Sequence, residues 1–247
     1  MPKLVAFDLD DTLAPSKSPL PDPIREALLA LLAKRPVAII SGGQFGQFQE
    51  QVVRRLPESQ LLDGLHLMPT NGTRYYRHEN GAWHEVYGHE LSEENRRACA
   101  EALESEAKAL GLWEVDTWGP HIEDRGSQVT FSALGQEAPV DAKKAWDPDG
   151  SKRELLRAAV QAKLPHLDVH SGGSTSIDIT KRGVDKAYGV RNLMEHLGLD
   201  AADILFVGDR LQPGGNDYPV IAVGVQTKAV ESWEQTVDYL SELLPTL

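Results

Sequence analysis

Residues 3–17 read KLVAFDLDDTLAPSK, an apolar run that ends in three carboxylates, Asp8, Asp10 and Asp11. Residues 4–7, LVAF, have the composition of a buried strand, and buried strands do not ordinarily end in clustered negative charge. Like charges this close raise one another's cost of ionisation unless something positive sits among them. A divalent cation meets that need, because hard oxygen ligands suit magnesium. The stretch therefore predicts a central strand whose carboxyl end carries a charged site.

The surrounding segments extend that strand into a layered fold. DPIREALLALLAKR (22–35) places Ile24, Leu28, Leu31 and Leu32 at helical spacing, and PVAII (36–40) is a short β-branched run suited to a buried parallel strand. FGQFQEQVVRRL (45–56) predicts a second amphipathic helix after the glycine pair of SGGQ. Strand, helix, strand, helix implies a sheet covered on both faces, with loops at the strand carboxyl ends forming a crevice. The middle of the chain has another style. After the turn-rich TNGTRYYRHENGAW (70–83), a helix is predicted from Leu91 to Leu110. WEVDTW, SQVTFSA, a helix near SKRELLRAAVQAKL and LDVHSGGSTSIDIT follow without βαβ alternation, as in an α+β insert. The first style returns with DKAYGVRNLMEHLGL (helix), ADILFVGD (strand) and VIAVGV (strand). The expected fold class is α/β, a Rossmann-like doubly wound parallel-sheet core with an inserted α+β cap domain. Its core spans residues 1–86 and 181–247, and its insert residues 87–180.

Composition bounds the partners. The 247 residues hold 25 Lys and Arg against 37 Asp and Glu, a formal charge of −12, which disfavours a nucleic-acid backbone as partner. A single cysteine, Cys99, allows neither an intrachain disulfide nor a thiolate metal site. No apolar run approaches a membrane span, and the first residues lack a secretion signal, so a cytoplasmic protein is expected.

Three apolar strands end in polar residues of complementary kinds: Asp8, Asp10 and Thr12 after LVAF, Ser41 after VAII, and Asp209 after ILFVG. Lys186 opens a helix between the last two. In a doubly wound sheet these strand ends can meet at one edge. Carboxylates from two strands make a magnesium site, a neighbouring carboxylate can attack phosphorus, and a second can protonate the leaving oxygen. A lysine and a hydroxyl would orient the transferring phosphoryl group.

On these residues the chain resembles the haloacid dehalogenase-like phosphotransferases: DLDDT fits their DxDx[T/V] motif, and Ser41, Lys186 and the GD…ND segment fit the other three in order. The resemblance implies Asp8 as nucleophile and magnesium ligand, and Asp10 as general acid/base giving its backbone carbonyl to Mg2+. It implies Asp209 as the remaining carboxylate ligand with Asp217 in support, and Ser41 and Lys186, aided by Thr12, Gly42 and Gly43, on the phosphoryl oxygens. A narrower resemblance covers most of the chain. VGDRLQPGGNDYPV, GGSTSIDITKRGVDKAYGV and RGSQVTFSALGQ are similar to segments of the eukaryotic-type phosphomannomutases and their sugar-phosphatase relatives, PGGND being the most specific. It implies a substrate-selecting cap in which Arg125, Ser176 and Asp178 line the sugar or distal-phosphate pocket, and a homodimer formed through that cap.

The departures from that pattern concern the distal phosphate. The mutases carry arginine where Gln136 and Lys143 stand here. A mutase rebinds a bisphosphorylated intermediate turned around, for which arginine supplies bidentate, permanently charged contacts. Asp11 replaces a usual glycine, and Ser41 sits slightly earlier than the mutase serine. The expected activity is therefore magnesium-dependent hydrolysis of small phosphorylated sugars, with phosphomannomutase-type isomerisation as the alternative. A non-catalytic phosphosugar-binding protein is the reading from another class, and retention of every catalytic residue type weighs against it.

Overall fold

The computed structural model describes residues 1–247. In chain order its elements are β1 (Leu4–Phe7), α1 (Asp22–Leu32), β2 (Val37–Ile40), α2 (Phe45–Gln51), β3 (Leu65–Met68), β4 (Arg74–Glu79) and β5 (Ala82–Gly88). Then come α3 (Glu93–Ala109), β6 (Ile122–Asp124), β7 (Gln128–Ser132), α4 (Val140–Trp146), α5 (Ser151–Lys163), β8 (Leu167–Ser171) and β9 (Ser176–Lys181). The chain ends with α6 (Lys186–Leu197), β10 (Ile204–Gly208), β11 (Gln226–Ala229) and α7 (Trp233–Leu243). No helix is long and apolar enough to cross a membrane. The chain divides into two compact units, residues 1–88 with 185–247, and residues 89–184.

The first unit is built on a seven-stranded sheet of order β11-β10-β1-β2-β3-β4-β5. Its first five strands run parallel and the last two form an antiparallel hairpin. The apolar runs of β1, β2, β3 and β10 are buried on both faces, as a parallel sheet between helices requires. Alternate residues serve opposite layers. Val5, Phe7, Val37, Ile39 and Val207 pack with Ile24 and Leu28 of α1 and Leu240 of α7, while Leu4, Ala6, Ile40 and Phe206 pack with Val190 and Leu193 of α6. Strand β1 lies between β10 and β2, so the chain crosses from one side of the sheet to the other at its carboxyl end. That is the switch point where a crevice opens in such sheets.

The second unit carries a four-stranded antiparallel sheet, β6-β7-β9-β8, with α3, α4 and α5. Val129, Phe131, Ile177 and Ile179 turn to a core shared with Cys99 and Leu103 of α3 and Val160 of α5. The intervening Gln128, Thr130 and Ser132 stand opposite Thr180, Asp178 and Ser176, so the other face is a polar ladder.

Several local expectations need correction. Helix α2 stops at Gln51 rather than running to Leu56, because the Gln51 carbonyl accepts the Leu20 N–H at 2.9 Å; residues 53–55 form only a 3₁₀ turn. The segment 70–83 is not merely turn-rich. It holds β4 and enters β5 through an Asn80-Gly81 turn, both residues with positive φ, a hairpin signal the polar composition hid. WEVDTW forms no strand; Trp113 packs against His121 with the two rings tilted by 43°, and β6 follows it. VIAVGV lies mostly in a 3₁₀ turn begun by Pro219, and the strand falls on the exposed QTKA of β11, an edge with no apolar pattern. Helices α4 and α7 were not foreseen.

Helix α6 is held close to the turn at Thr70–Gly72. A Cβ on Gly189 would lie 2.8 Å from the Asn71 carbonyl oxygen and 3.2 Å from Ile40 Cγ2. Gly189→Ala should therefore lift the helix that begins at Lys186. Overpacking outweighs the gain in helix propensity, and we expect a loss of about 1–2 kcal/mol with a fall in turnover. Urea midpoints and steady-state rates check both.

His66 on β3 is buried, its Nδ1 2.7 Å from the Tyr75 hydroxyl. Burial, with Arg77 opposite on β4, lowers its pKa to about 4. Native His66 is uncharged while the unfolded residue titrates near the ordinary 6.5, so its contribution is full above that value and is lost as pH falls towards 4. Stability should drop by about 3 kcal/mol across this window on account of His66. His66→Leu should flatten that part of the pH profile of denaturation.

Candidate active site

Four loops meet at the carboxyl edge of the parallel sheet. Asp8 leaves β1 with its N–H bonded to the Val207 carbonyl of β10 at 3.0 Å, which fixes the carboxylate against the neighbouring strand end. Asp209 follows Gly208 at the end of β10. Asp217 returns to the same place through the PGGND loop, where the Arg210 N–H donates to its Oδ2 at 3.1 Å. Any Cβ on Gly208 would fall on the Asp217 carboxylate, so the approach requires glycine there.

Lys186 sits among these carboxylates. Its Nζ is 2.5 Å from Asp8 Oδ1 and 2.5 Å from Asp217 Oδ1, and its side chain is 1% exposed. The helix start that is unfavourable for a lysine is capped by Asp185, whose carboxylate accepts the Tyr188 N–H at 2.8 Å. Burial alone would discharge Lys186, but Asp217 and Asp8 outweigh it and hold the ammonium more firmly protonated than an ordinary lysine. Burial pushes the Asp8 carboxyl well above the usual range; Asp217 and Asp209 push the same way, and Lys186 opposes them. Burial and Asp217 likewise raise Asp209.

One oxygen each of Asp8, Asp209 and Asp217 lies within 4.8 Å of the others. Three carboxylates against one ammonium leave an excess of two negative charges in a buried place, and all donors are hard oxygens. That chemistry fits a divalent cation such as magnesium. Asp217 already accepts from Lys186 and Arg210, which suits the supporting part more than direct ligation.

The remaining expected core residues lie around this cluster. Thr12 is buried, its hydroxyl 3.4 Å from Asp209 Oδ1 and its carbonyl accepting from Thr236 at 2.7 Å. Ser41 is buried at the end of β2, its hydroxyl accepting the Gly43 N–H at 3.3 Å, with Gly42 between them. The Asp10 carboxylate accepts from the Lys17 N–H at 2.7 Å and from Gln51 at 3.2 Å. Asp11 adopts a left-handed φ of 63° and accepts the Ser16 N–H, bonding within its own loop.

Sequence reasoning missed the loop after β3. Thr70 and Asn71, both with positive φ, bond the carbonyls of Gly43 and Ser41 at 2.9 Å and so tie that loop to the Ser41 loop. The signal was present, since TNG follows the buried LHLM with only Pro69 between, much as SGG follows VAII.

In the second unit, Arg125 is half-buried, and its largely covered side chain pairs with Glu123 at 2.6 Å. Asp178 accepts from Thr130 at 2.7 Å, and the Ser176 hydroxyl accepts the Gly173 N–H at 2.8 Å. Gln136 donates to the Ser132 hydroxyl, and Lys143 Nζ donates to the Gln136 carbonyl at 2.7 Å.

Solved structures share this architecture. The Plasmodium falciparum IMP-nucleotidase in its N-terminally truncated form matches 98% of the chain and 70% of its own with a TM-score of 0.73 at 15% identity. A haloacid dehalogenase-like hydrolase from Bacteroides thetaiotaomicron matches 98% of the chain and all of its own at 0.63 and 15%. The likeness is one of fold, the α/β fold of a haloacid dehalogenase-like hydrolase, and in this chain a buried Asp–Lys–Asp cluster lies at the carboxyl edge of its sheet. The family model of eukaryotic phosphomannomutase matches residues 24–246, and the chain belongs to that family. Among similar proteins are the phosphomannomutase of Saccharomyces cerevisiae, 27% identical over 97% of this chain and 93% of its own, and that of Spinacia oleracea, 27% identical over 99% and 97%.

Proposed function

We propose that this enzyme is a magnesium-dependent hexose-phosphate mutase of the phosphomannomutase type, acting through an aspartyl-phosphate on Asp8. Sequence reasoning alone put hydrolysis first. The observation that reverses the order is similarity along almost the whole chain, including both units, to proteins named phosphomannomutase. In this mechanism an Asp8 oxygen attacks phosphorus in line as the bond from phosphorus to the sugar oxygen breaks. Asp10 delivers a proton to the departing oxygen. The donor in this step is the sugar 1,6-bisphosphate, which leaves as a monophosphate. Asp10 then takes a proton from the free hydroxyl of a sugar monophosphate bound in the turned-around orientation, and that oxygen attacks the aspartyl-phosphate, re-forming the bisphosphate and leaving Asp8 free. Lys186 keeps Asp8 in place and offsets charge on the phosphoryl group, and Ser41 bonds its oxygens. Asp8, Asp209 and the Asp10 carbonyl, supported by Asp217, would hold magnesium, which supplies charge neutralisation for phosphoryl transfer. The second unit acts as the cap, with Arg125, Lys143, Ser176 and Asp178 on the sugar and distal phosphate. A homodimer formed through the cap and a cytoplasmic location complete the proposal.

One set of contacts favours the hydrolytic reading. Gln136 is neutral, Lys143 is engaged by its carbonyl, and Arg125 is already paired with Glu123, which weakens the cap as a phosphate clamp. In that case water replaces the sugar hydroxyl in the second step. Phosphorus NMR of mannose 1-phosphate and glucose 1-phosphate, with and without a trace of the 1,6-bisphosphate, separates the two. Conversion to the 6-phosphate that needs both the bisphosphate and magnesium is expected. Accumulating inorganic phosphate would replace the mutase with a phosphatase, and no reaction with either sugar would overturn the substrate assignment.

A further inference from the structure

The carboxylate of Asp10 is gripped from helix α2. Gln51 is 2% exposed, and its Nε2 donates both to Asp10 Oδ1 at 3.2 Å and to the Ser18 carbonyl at 2.9 Å. Its Oε1 accepts from Gln47 Nε2 at 2.7 Å, one helical turn back, and Gln47 Nε2 also lies 3.4 Å from Asp10 Oδ2. The orientation of the Gln51 amide follows from chemistry: turned over, its oxygen would face two acceptors and its NH2 group would face a donor. A Cβ at Gly43 would collide with the Gln47 side chain, so the glycine loop leaves room for the outer glutamine. The Lys17 N–H, at 2.7 Å, is the second donor to Oδ1. Two donors thus occupy both acceptor directions of Oδ1, while Oδ2 receives only the long contact from Gln47.

We propose that Gln51, with Gln47 behind it, is the positioning residue that reserves Asp10 Oδ1 for fixed donors and turns Oδ2 toward the reacting oxygen. This rests on the reading of Asp10 as acid/base. Bond making is unchanged from that reading: the proton leaves Oδ2 for the sugar oxygen as its bond to phosphorus breaks, and returns to Oδ2 from the attacking hydroxyl. Gln51 touches neither substrate nor phosphorus. Its effect is confined to steps in which Asp10 must move a proton, because a misdirected acid loses most of what alignment gives it.

The test compares leaving groups. Gln51→Leu should lower kcat for mannose 1-phosphate or glucose 1-phosphate by about thirtyfold with little change in KM. The pre-steady-state burst of p-nitrophenolate from p-nitrophenyl phosphate, whose leaving group needs no proton, should fall far less. Gln51→Glu, similar in volume but presenting a carboxylate to a carboxylate, should do worse than leucine. Gln47→Leu, at a half-buried position that does not threaten the fold, should show the same discrimination between leaving groups at about fivefold. Equal losses with both leaving groups, or none with either, would overturn the proposal. Asp10→Asn run beside these variants keeps the two ideas apart. If it transfers from the sugar phosphate at the full rate, the acid/base reading has failed. If it is inactive while the glutamine variants do not discriminate, only the positioning role has.

Discussion

Asp8→Asn is expected to abolish turnover of sugar phosphates, with kcat falling by about 10⁴ or more, while the protein stays folded. The carboxylate oxygen is the group that would form the bond to phosphorus, and an amide of the same size cannot replace it. The fold should tolerate the change because ionised Asp8 is itself strained by burial and by Asp217 and Asp209. Removing that charge leaves Lys186 with Asp217 as partner at 2.5 Å. A melting temperature unchanged within a few degrees, together with loss of the hydroxylamine-sensitive phosphoenzyme, is the expected pair of results. Magnesium-dependent turnover surviving in Asp8→Asn would mean that the phosphoryl group does not pass through this residue.

Lys186→Met is expected to strike both stability and activity. It leaves Asp8 and Asp217 facing each other without the ammonium that lies 2.5 Å from each. Breaking a buried pair by removing one partner costs about 3–5 kcal/mol, because the remaining charges keep their burial and lose their compensation. Turnover should also fall by about 10²–10³, the usual consequence of removing one preorganised charge from a transferring group. The double variant Lys186→Met/Asp217→Asn separates the two effects. It should recover much of the stability, since one unpaired carboxylate is gone, and none of the activity. Recovery of both would reduce Lys186 to a structural counter-ion.

The order in which these residues became legible has a physical basis. Asp8 and Asp209 announce themselves because each follows a buried apolar strand, where a charge is costly without a partner, whereas Lys186 and Asp217 were legible through the order of motifs the chain resembles. Gln47 and Gln51 give no such signal. On α2 they read as polar residues of an amphipathic helix, and only the return of the 16–20 segment across that helix, with Leu20 bonded to the Gln51 carbonyl, turns them inward. The strand at VIAVGV was misread for the converse reason. Its apolar residues follow Pro219 and end at Gly224 with φ of 86°, so the backbone turns before it can pair, and the pairing passes to the exposed Gln226–Ala229.

By itself the sequence determined the doubly wound sheet and the strand ends that carry the charged residues, because burial period and clustered carboxylates are local properties of the chain, while its motifs carried the resemblance to the family. Only the tertiary structure decided which charges meet. Lys186 lies 178 residues beyond Asp8 and 31 before Asp217, and its contact with both depends on α6 seating against the 70–72 turn at Gly189. Distances between charges set by packing across the sheet leave no periodicity in the chain, and it is those distances that make a buried lysine tolerable.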